Sequence, residues 1–339
     1  MAKVAFIGVS AAEKNFFEEN LGGDNYELQF LKDEDWLKID RETEVLSVFV
    51  DFNVTHDVLD VLPNLKMVTC RSTGFNNVDP DITKARSIIV ANTPGYGATS
   101  VAEYVFGLIL NLSRKFGVVL EMTGDKEVDR LKERGFDLSG RTIGIVGLGA
   151  IGRGVAKIAT GFGMKIIGYD PFWNDEFARA NNIAKVELDD LCREADIVTL
   201  HVPYSLENHH LISAKRLEMM KSTALIINTS RGELLNTLQL ARLLDRKKLA
   251  GAGLDVIEDE SYLMNPNDLI NLAINGDEKS IDQLKHALAM LRLERMPNVI
   301  ITNHNAYNTG EALYLINDMT VQNIMNFATG NRDKIFVAK

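Results

Sequence analysis

Arg141-Thr-Ile-Gly-Ile-Val-Gly147-Leu-Gly149-Ala-Ile-Gly152 is the stretch on which the fold turns. Its apolar half, Ile143–Val146, reads as a buried strand, and the glycines that follow have the G-x-G-x-x-G spacing of a turn opening a helix. Gly147 suits the tight turn, Gly149 lets a pyrophosphate approach the backbone, and Gly152 permits close helix–strand packing. The amides of Ala150 and Ile151, at the positive end of the helix dipole, are the expected phosphate donors. The next apolar run, Lys165–Tyr169, is followed by Asp170, 23 residues after Gly147, where a carboxylate accepts from the adenine ribose hydroxyls. A glycine motif alone is weak and can be a ligand-free turn. Strand, loop, helix, strand and terminal acid in that order predict a site for NAD rather than NADP.

Outward from this unit the strand–helix rhythm continues through Ile197–Val202, Ala224–Asn228, Gly251–Val256 and Val299–Thr302, giving six strands with Ile143–Val146 and Lys165–Tyr169. Upstream, Val4–Val9, Tyr26–Leu31, Val45–Val50, Leu65–Cys70 and Ser87–Ala91 alternate with amphipathic stretches in the same way. The predicted class is therefore α/β: two Rossmann-like, doubly wound parallel-sheet domains with an active-site cleft between them. Residues 1–99, completed by 305–339, form the predicted substrate domain, and 100–304 the predicted NAD-binding domain.

Ser100–Phe116 is expected to be a long helix, with Ser100 and Glu103 in capping-box spacing and apolar residues on nearly every face, buried against a second domain or subunit. Its apolar run is shorter than the ~20 residues of a membrane span. Within 261–297, Ile281, Leu284, Leu288 and Leu291 predict a helix packed through that face, and Glu311–Phe327 a last helix folded back on the first domain.

The 339 residues exceed one ordinary core, and a hydrophobic fraction of 46% with only 7 prolines predicts a chain folded throughout. A net charge of -10 disfavours nucleic acid. Cys70 and Cys192 lack the spacing of a disulfide framework or thiolate metal site, so a reducing cytoplasm is expected. The N-terminal apolar run is too short for an export signal, and no membrane association is predicted. His209 and His210, adjacent and without an acidic motif, are not expected to bind metal.

Polar groups close three further strands: Asn228-Thr-Ser-Arg231-Gly232, Asp255-Val-Ile-Glu-Asp-Glu260 and Thr302-Asn-His304. Ligands bind at the carboxyl ends of parallel strands. Singly, each has a bland explanation: a surface ion pair, loop carboxylates, a core histidine. Together they supply an anion binder, a carboxylate and a histidine beside a nicotinamide site, the groups needed for hydride transfer to a 2-oxo acid.

These stretches, with Arg71-Ser-Thr-Gly-Phe-Asn-Asn-Val-Asp79, Asn92-Thr-Pro-Gly-Tyr-Gly-Ala-Thr-Ser-Val-Ala-Glu103 and His201-Val-Pro203, run over nearly the whole chain. The sequence resembles the D-isomer-specific 2-hydroxyacid dehydrogenase family, and within it the D-lactate dehydrogenase branch. The resemblance implies that Arg231, Glu260 and His304 are catalytic. It implies that Val202, Pro203, Asn208, Thr229, Ser230, Arg231 and Asp255 line the cofactor together with Gly147, Gly149, Ala150, Ile151, Gly152 and Asp170. Thr73, Gly74, Tyr96 and Arg231 then meet the substrate carboxylate, Tyr307 and Phe52 are candidate pocket walls, and the helix 100–116 resembles the family's dimer element. Asn303 stands where the family usually has proline before the histidine.

The expected activity is NADH-dependent reduction of pyruvate to D-lactate. His304 donates a proton, a carboxylate at Glu260 favours its charged ring, and the Arg231 fork holds the substrate carboxylate. Other D-2-hydroxyacid specificities (2-hydroxyisocaproate, glycerate, 3-phosphoglycerate) are the alternatives within this chemistry. An NAD-sensing, corepressor-like binding protein is the alternative outside it, and the intact Arg231, Glu260 and His304 disfavour it.

Overall fold

The computed structural model describes residues 1–75, 77–121, 134–258, 266–276 and 278–337. The chain forms two compact units, Met1–Tyr96 with Asn308–Lys339 and Gly97–Tyr307.

The first unit is a five-stranded parallel sheet in the order β2-β1-β3-β4-β5, built from β1 (Ala2–Ile7), β2 (Tyr26–Leu31), β3 (Val45–Val48), β4 (Met67–Cys70) and β5 (Ile89–Ala91). Successive strand residues face opposite sides, so β1 divides its apolar residues between two cores. Val4 and Phe6 pack with Phe17 and Leu21 of the helix Ala11–Leu21, while Ala5 and Ile7 pack with Val58 and Leu59. Ser10 and Glu13 close a capping box at the start of that first helix. The last helix, Gly310–Ala328, starts at Thr309, whose hydroxyl accepts from the Ala312 N–H. Its Val321 and Ile324 join the Phe6 core. Phe52 is buried beside Val54 and Val58.

The second unit is a parallel sheet in the order β12-β11-β10-β9-β6-β7-β8. Its strands are β6 (Thr142–Val146), β7 (Lys165–Tyr169), β8 (Ile183–Lys185), β9 (Ile197–Leu200), β10 (Leu225–Asn228), β11 (Gly251–Leu254) and β12 (Val299–Ile301). This makes seven strands where six were expected. β8 is a three-residue edge strand, too short to show periodicity, and only Ile183 of it is buried. The strand order reverses between β6 and β9, so the glycine loop after β6 stands at a topological switch point, where α/β sheets bind ligands.

Two helix expectations need correction. The first long helix of this unit is Ala98–Arg114, begun at Gly97 and ended by Lys115 at φ +54. The ladder starts with Val101 N–H on Gly97 O, so Ser100 already has helical backbone and cannot cap. Its buried residues, among them Val105, Phe106, Leu108 and Ile109, pack with Ile143, Ile145 and Ile227 of the unit's own sheet. Glu103, Gly107, Asn111 and Arg114 form the exposed side. In Glu278–Glu294, Ile281 and Leu288 are 51% and 55% exposed while Ala287, Met290 and Leu293 are buried. The helix carries two apolar stripes, and the one with alanines approaches the core.

Candidate active site

The glycine loop has the geometry its spacing requires. Gly147 sits at φ +96, in the left-handed region, and a Cβ there would meet His201 O at 2.7 Å and Val202 Cγ1 at 2.8 Å. A Cβ on Gly152 would stand 1.9 Å from Gly147 O, so the helix Ala150–Gly161 can approach the turn only with glycine there. Gly149 has open space where a Cβ would be and offers no side-chain cap to Ala150 and Ile151. Asp170 follows β7, its carboxylate accepting from Leu148 N at 2.6 Å and Phe172 N at 2.7 Å. It is thereby held against the glycine loop.

Three loops at the carboxyl ends of β10, β11 and β12 carry the polar groups. Arg231 donates to Ser230 O at 2.7 Å and makes no ion pair among the described residues, leaving charge and donors for an anion. Ser230 Oγ donates to Val202 O, and Thr229 Oγ1 is buried without a partner among the described residues. Asn208 closes its own loop, donating to Pro203 O and accepting from Ser205 N, both at 2.8 Å.

Asp255 is 1% exposed, and its carboxylate accepts from Thr302 Oγ1 at 2.6 Å, Asn305 N at 2.8 Å and Ala306 N at 3.0 Å. These donors flank His304, which is bent to φ +48 with its own N–H 2.8 Å from Asp255 O. A non-glycine residue in that region costs roughly 1–3 kcal/mol and persists only where its surroundings over-determine it. Asp255 supplies that determination, which sequence reasoning missed because two of the three donors are backbone amides. The His304 ring makes no hydrogen bond among the described residues and lies 6.4 Å from the Tyr307 ring, nearly perpendicular to it. Glu260 lies outside the described residues.

In the first unit the loops after β4 and β5 are tied by Thr73 Oγ1 on Thr93 O (3.1 Å) and Asn92 Nδ2 on Thr73 O (2.8 Å). No acceptor among the described residues faces the N–H of Thr73 or Gly74. Tyr96 ends this unit. The family model described as the D-isomer specific 2-hydroxyacid dehydrogenase NAD binding domain matches residues 106–306. The chain belongs to the D-isomer-specific 2-hydroxyacid dehydrogenases. It is 33% identical to a 2-hydroxyacid dehydrogenase homolog of Haemophilus influenzae and 31% identical to the D-lactate dehydrogenase of Escherichia coli K12, each match covering 97% of both chains. The crystal structure of a D-lactate dehydrogenase from Aquifex aeolicus, complexed with NAD and lactic acid, superposes with a TM-score of 0.80 at 32% identity, covering 98% of this chain and 97% of that one.

As a member of these NAD-dependent oxidoreductases the chain binds NAD, and its residues fit that group. The space at Gly149 and the orphaned Thr229 hydroxyl are a cradle and a buried polar atom that a packed sheet has no use for. His201 follows β9; burial pushes its imidazole down to about 3, so the ring stays neutral beside the glycine turn. One chemical grouping of this dehydrogenase went unseen in the sequence. His209 and His210 do meet an acid, since Glu258 comes within 3.0 Å of His210 Nε2 and 3.9 Å of His209 Nε2. The partner stands 48 residues along the chain from His210, beyond any spacing rule.

Proposed function

We propose that this 2-hydroxyacid dehydrogenase reduces pyruvate to D-lactate with NADH. The observation that carries the reading is that Arg231, with no ion pair among the described residues, and His304, on a loop clamped by Asp255, follow β10 and β12, the two strands that flank β11 in one sheet. When bound, NADH supplies the hydride that adds to the substrate carbonyl carbon. Arg231 holds the substrate carboxylate through its planar fork and polarises the carbonyl, which a lysine point charge does less well. His304 gives its ring proton to the carbonyl oxygen as negative charge develops there, leaving a neutral imidazole and a hydroxy acid. As the family resemblance implies, Thr73, Gly74, Tyr96 and Tyr307 are assigned to substrate binding, and the amides of Thr73 and Gly74 have no acceptor among the described residues. In this reading Glu260 stabilises the charged His304 ring, and Asp170 accepts from the ribose hydroxyls and repels a 2′-phosphate.

The match to D-lactate dehydrogenases supports pyruvate over a larger 2-oxo acid. A homodimer is part of the proposal: exposed Phe116, Val119 and Leu120, on the short helix Phe116–Glu121 that follows the one assigned to it, add an apolar edge, and light scattering tests it. Cytoplasmic residence is also proposed, on two free buried thiols; no helix among the described residues is long and apolar enough to cross a membrane. The functional test is a panel of 2-oxo acids with NADH and NADPH. Pyruvate with NADH should be the best pair, and Asp170→Ala should erode the preference for NADH. Higher kcat/KM for a branched 2-oxo acid refutes the D-lactate assignment in favour of a 2-hydroxyisocaproate-like specificity.

A further inference from the structure

A part-buried chain of polar contacts adjoins the loop that carries Arg231. His210 follows the short helical turn Leu206–Asn208 and adopts φ +50, a conformation that residues with a Cβ avoid. Its backbone N–H donates to Glu233 O at 2.8 Å, two residues beyond Arg231. Its ring Nε2 lies 3.0 and 3.2 Å from the two carboxylate oxygens of Glu258. Its other nitrogen, Nδ1, lies 3.3 Å from Asn236 Nδ2. Asn236 Oδ1 is already committed to the Gln239 N–H at 2.8 Å, at the start of the helix Thr237–Asp245, which turns its amide nitrogen toward His210. An amide nitrogen only donates, so Nδ1 accepts, and Nε2 carries the hydrogen given to Glu258.

Glu258 is 6% exposed and stands three residues after Asp255. That segment lies directly on Gly232: a Cβ there would come within 2.1 Å of both Ile257 C and Glu258 N. One end of Asp255–Glu258 thus fixes the His304 loop, and the other rests against the neighbour of Arg231.

We propose that His210 is a positioning residue that staples the Arg231–Glu233 loop to the Asp255–Glu258 segment, with its backbone N–H on one and its imidazole on the other, and so sets Arg231 relative to the His304 loop. The inference rests on the reduction of a 2-oxo acid proposed above. His209, stacked on His210 with ring centroids 3.9 Å apart, completes a group that could instead hold a divalent transition metal. Asn236 disfavours that occupant, because a metal on Nε2 moves the ring hydrogen to Nδ1, where it would face another donor.

The test uses the full-length enzyme with His210→Ala, Glu258→Ala, the double variant and His210→Gln, whose amide nitrogen can replace Nε2 as donor. Measured are kcat on pyruvate at saturating NADH, the Kd of NADH by fluorescence, and zinc binding by calorimetry. A small misplacement of catalytic groups costs up to about 100-fold, so each single alanine variant should lose about 10- to 100-fold in kcat. The double should lose no more than the worse single, because both remove one contact. NADH binding should stay within about twofold, since both variants leave the glycine loop intact, and His210→Gln should recover most of kcat. His210→Phe keeps the ring volume and loses the donor, and carries the test where His210→Ala does not fold. Unchanged kcat, multiplicative losses in the double variant, or parallel loss of NADH binding overturns the staple. Saturable zinc binding abolished by His210→Ala overturns it in favour of a metal site. A wild type that reduces no 2-oxo acid refutes the functional reading, whereas an active wild type with indifferent variants refutes the staple alone.

Discussion

Arg231 and Arg71 show how one residue type takes opposite roles in one chain. Arg71 is fully buried and spends its guanidinium on Ser47 Oγ, Ile7 O and Gly8 O, tying three strands of the first sheet; burial lowers it to about 10. Arg231 is half-buried and spends one donor on Ser230 O, so its remaining fork is available to an anion. Its geometry, and not only its charge, should therefore matter. Arg231→Lys is predicted to lower kcat/KM for the 2-oxo acid by about 10²–10³-fold, the cost of losing an aligned donor at a developing oxyanion. NADH affinity and Tm should stay near wild type, as steady-state kinetics, fluorescence titration and thermal melts would show. A loss seen equally in NADH binding would assign Arg231 to the cofactor alone.

At the scale of elements, the Asp255 clamp is the arrangement with the most at stake. Asp255→Asn turns one acceptor into a donor facing the Ala306 N–H and leaves a buried amide unsatisfied, at about 1–3 kcal/mol. Tm should fall by several degrees and kcat by tenfold or more, since the His304 loop loses its restraint; unaltered kcat with lowered Tm would make the clamp structural only. The clamp also marks where the sequence stops being legible. Eleven strands could be read because apolar runs of four to six residues recur between helices, and the glycine loop because each glycine answers a local steric demand. Backbone amides leave no trace in a sequence, so the grip of Asp255 on Asn305 and Ala306 could not be read. The pairing of His210 with Glu258 was hidden by its 48-residue separation. In Glu278–Glu294 two stripes share the same period, and the elements packed on it, foremost the helix Thr237–Asp245, decide which is buried.

For the whole molecule, the neutral His201, largely shielded from water, makes stability depend on acid. Its native pKa of about 3 is below the ordinary 6.5, so the unfolded chain binds a proton that the folded chain does not. The stability this represents is complete above 6.5 and is lost as pH falls toward 3, at about 1.4 kcal/mol per pH unit. Denaturant unfolding of His201→Gln between pH 7 and pH 4 should show a correspondingly shallower loss than wild type; equal slopes would mean that the ring is solvated or protonated in the native state. The functional claim concerns the molecule as a whole, because hydride, proton and carboxylate must be handled together to make one enantiomer. Its most direct test is a stoichiometric assay in which NADH consumed and D- and L-lactate formed from pyruvate are measured for wild type and His304→Gln. One D-lactate per NADH is expected for wild type, and a loss of about 10²–10⁴-fold in His304→Gln, the usual contribution of a general acid. L-lactate as product, no NADH consumption, or a His304→Gln enzyme as fast as wild type at neutral pH would contradict the claim.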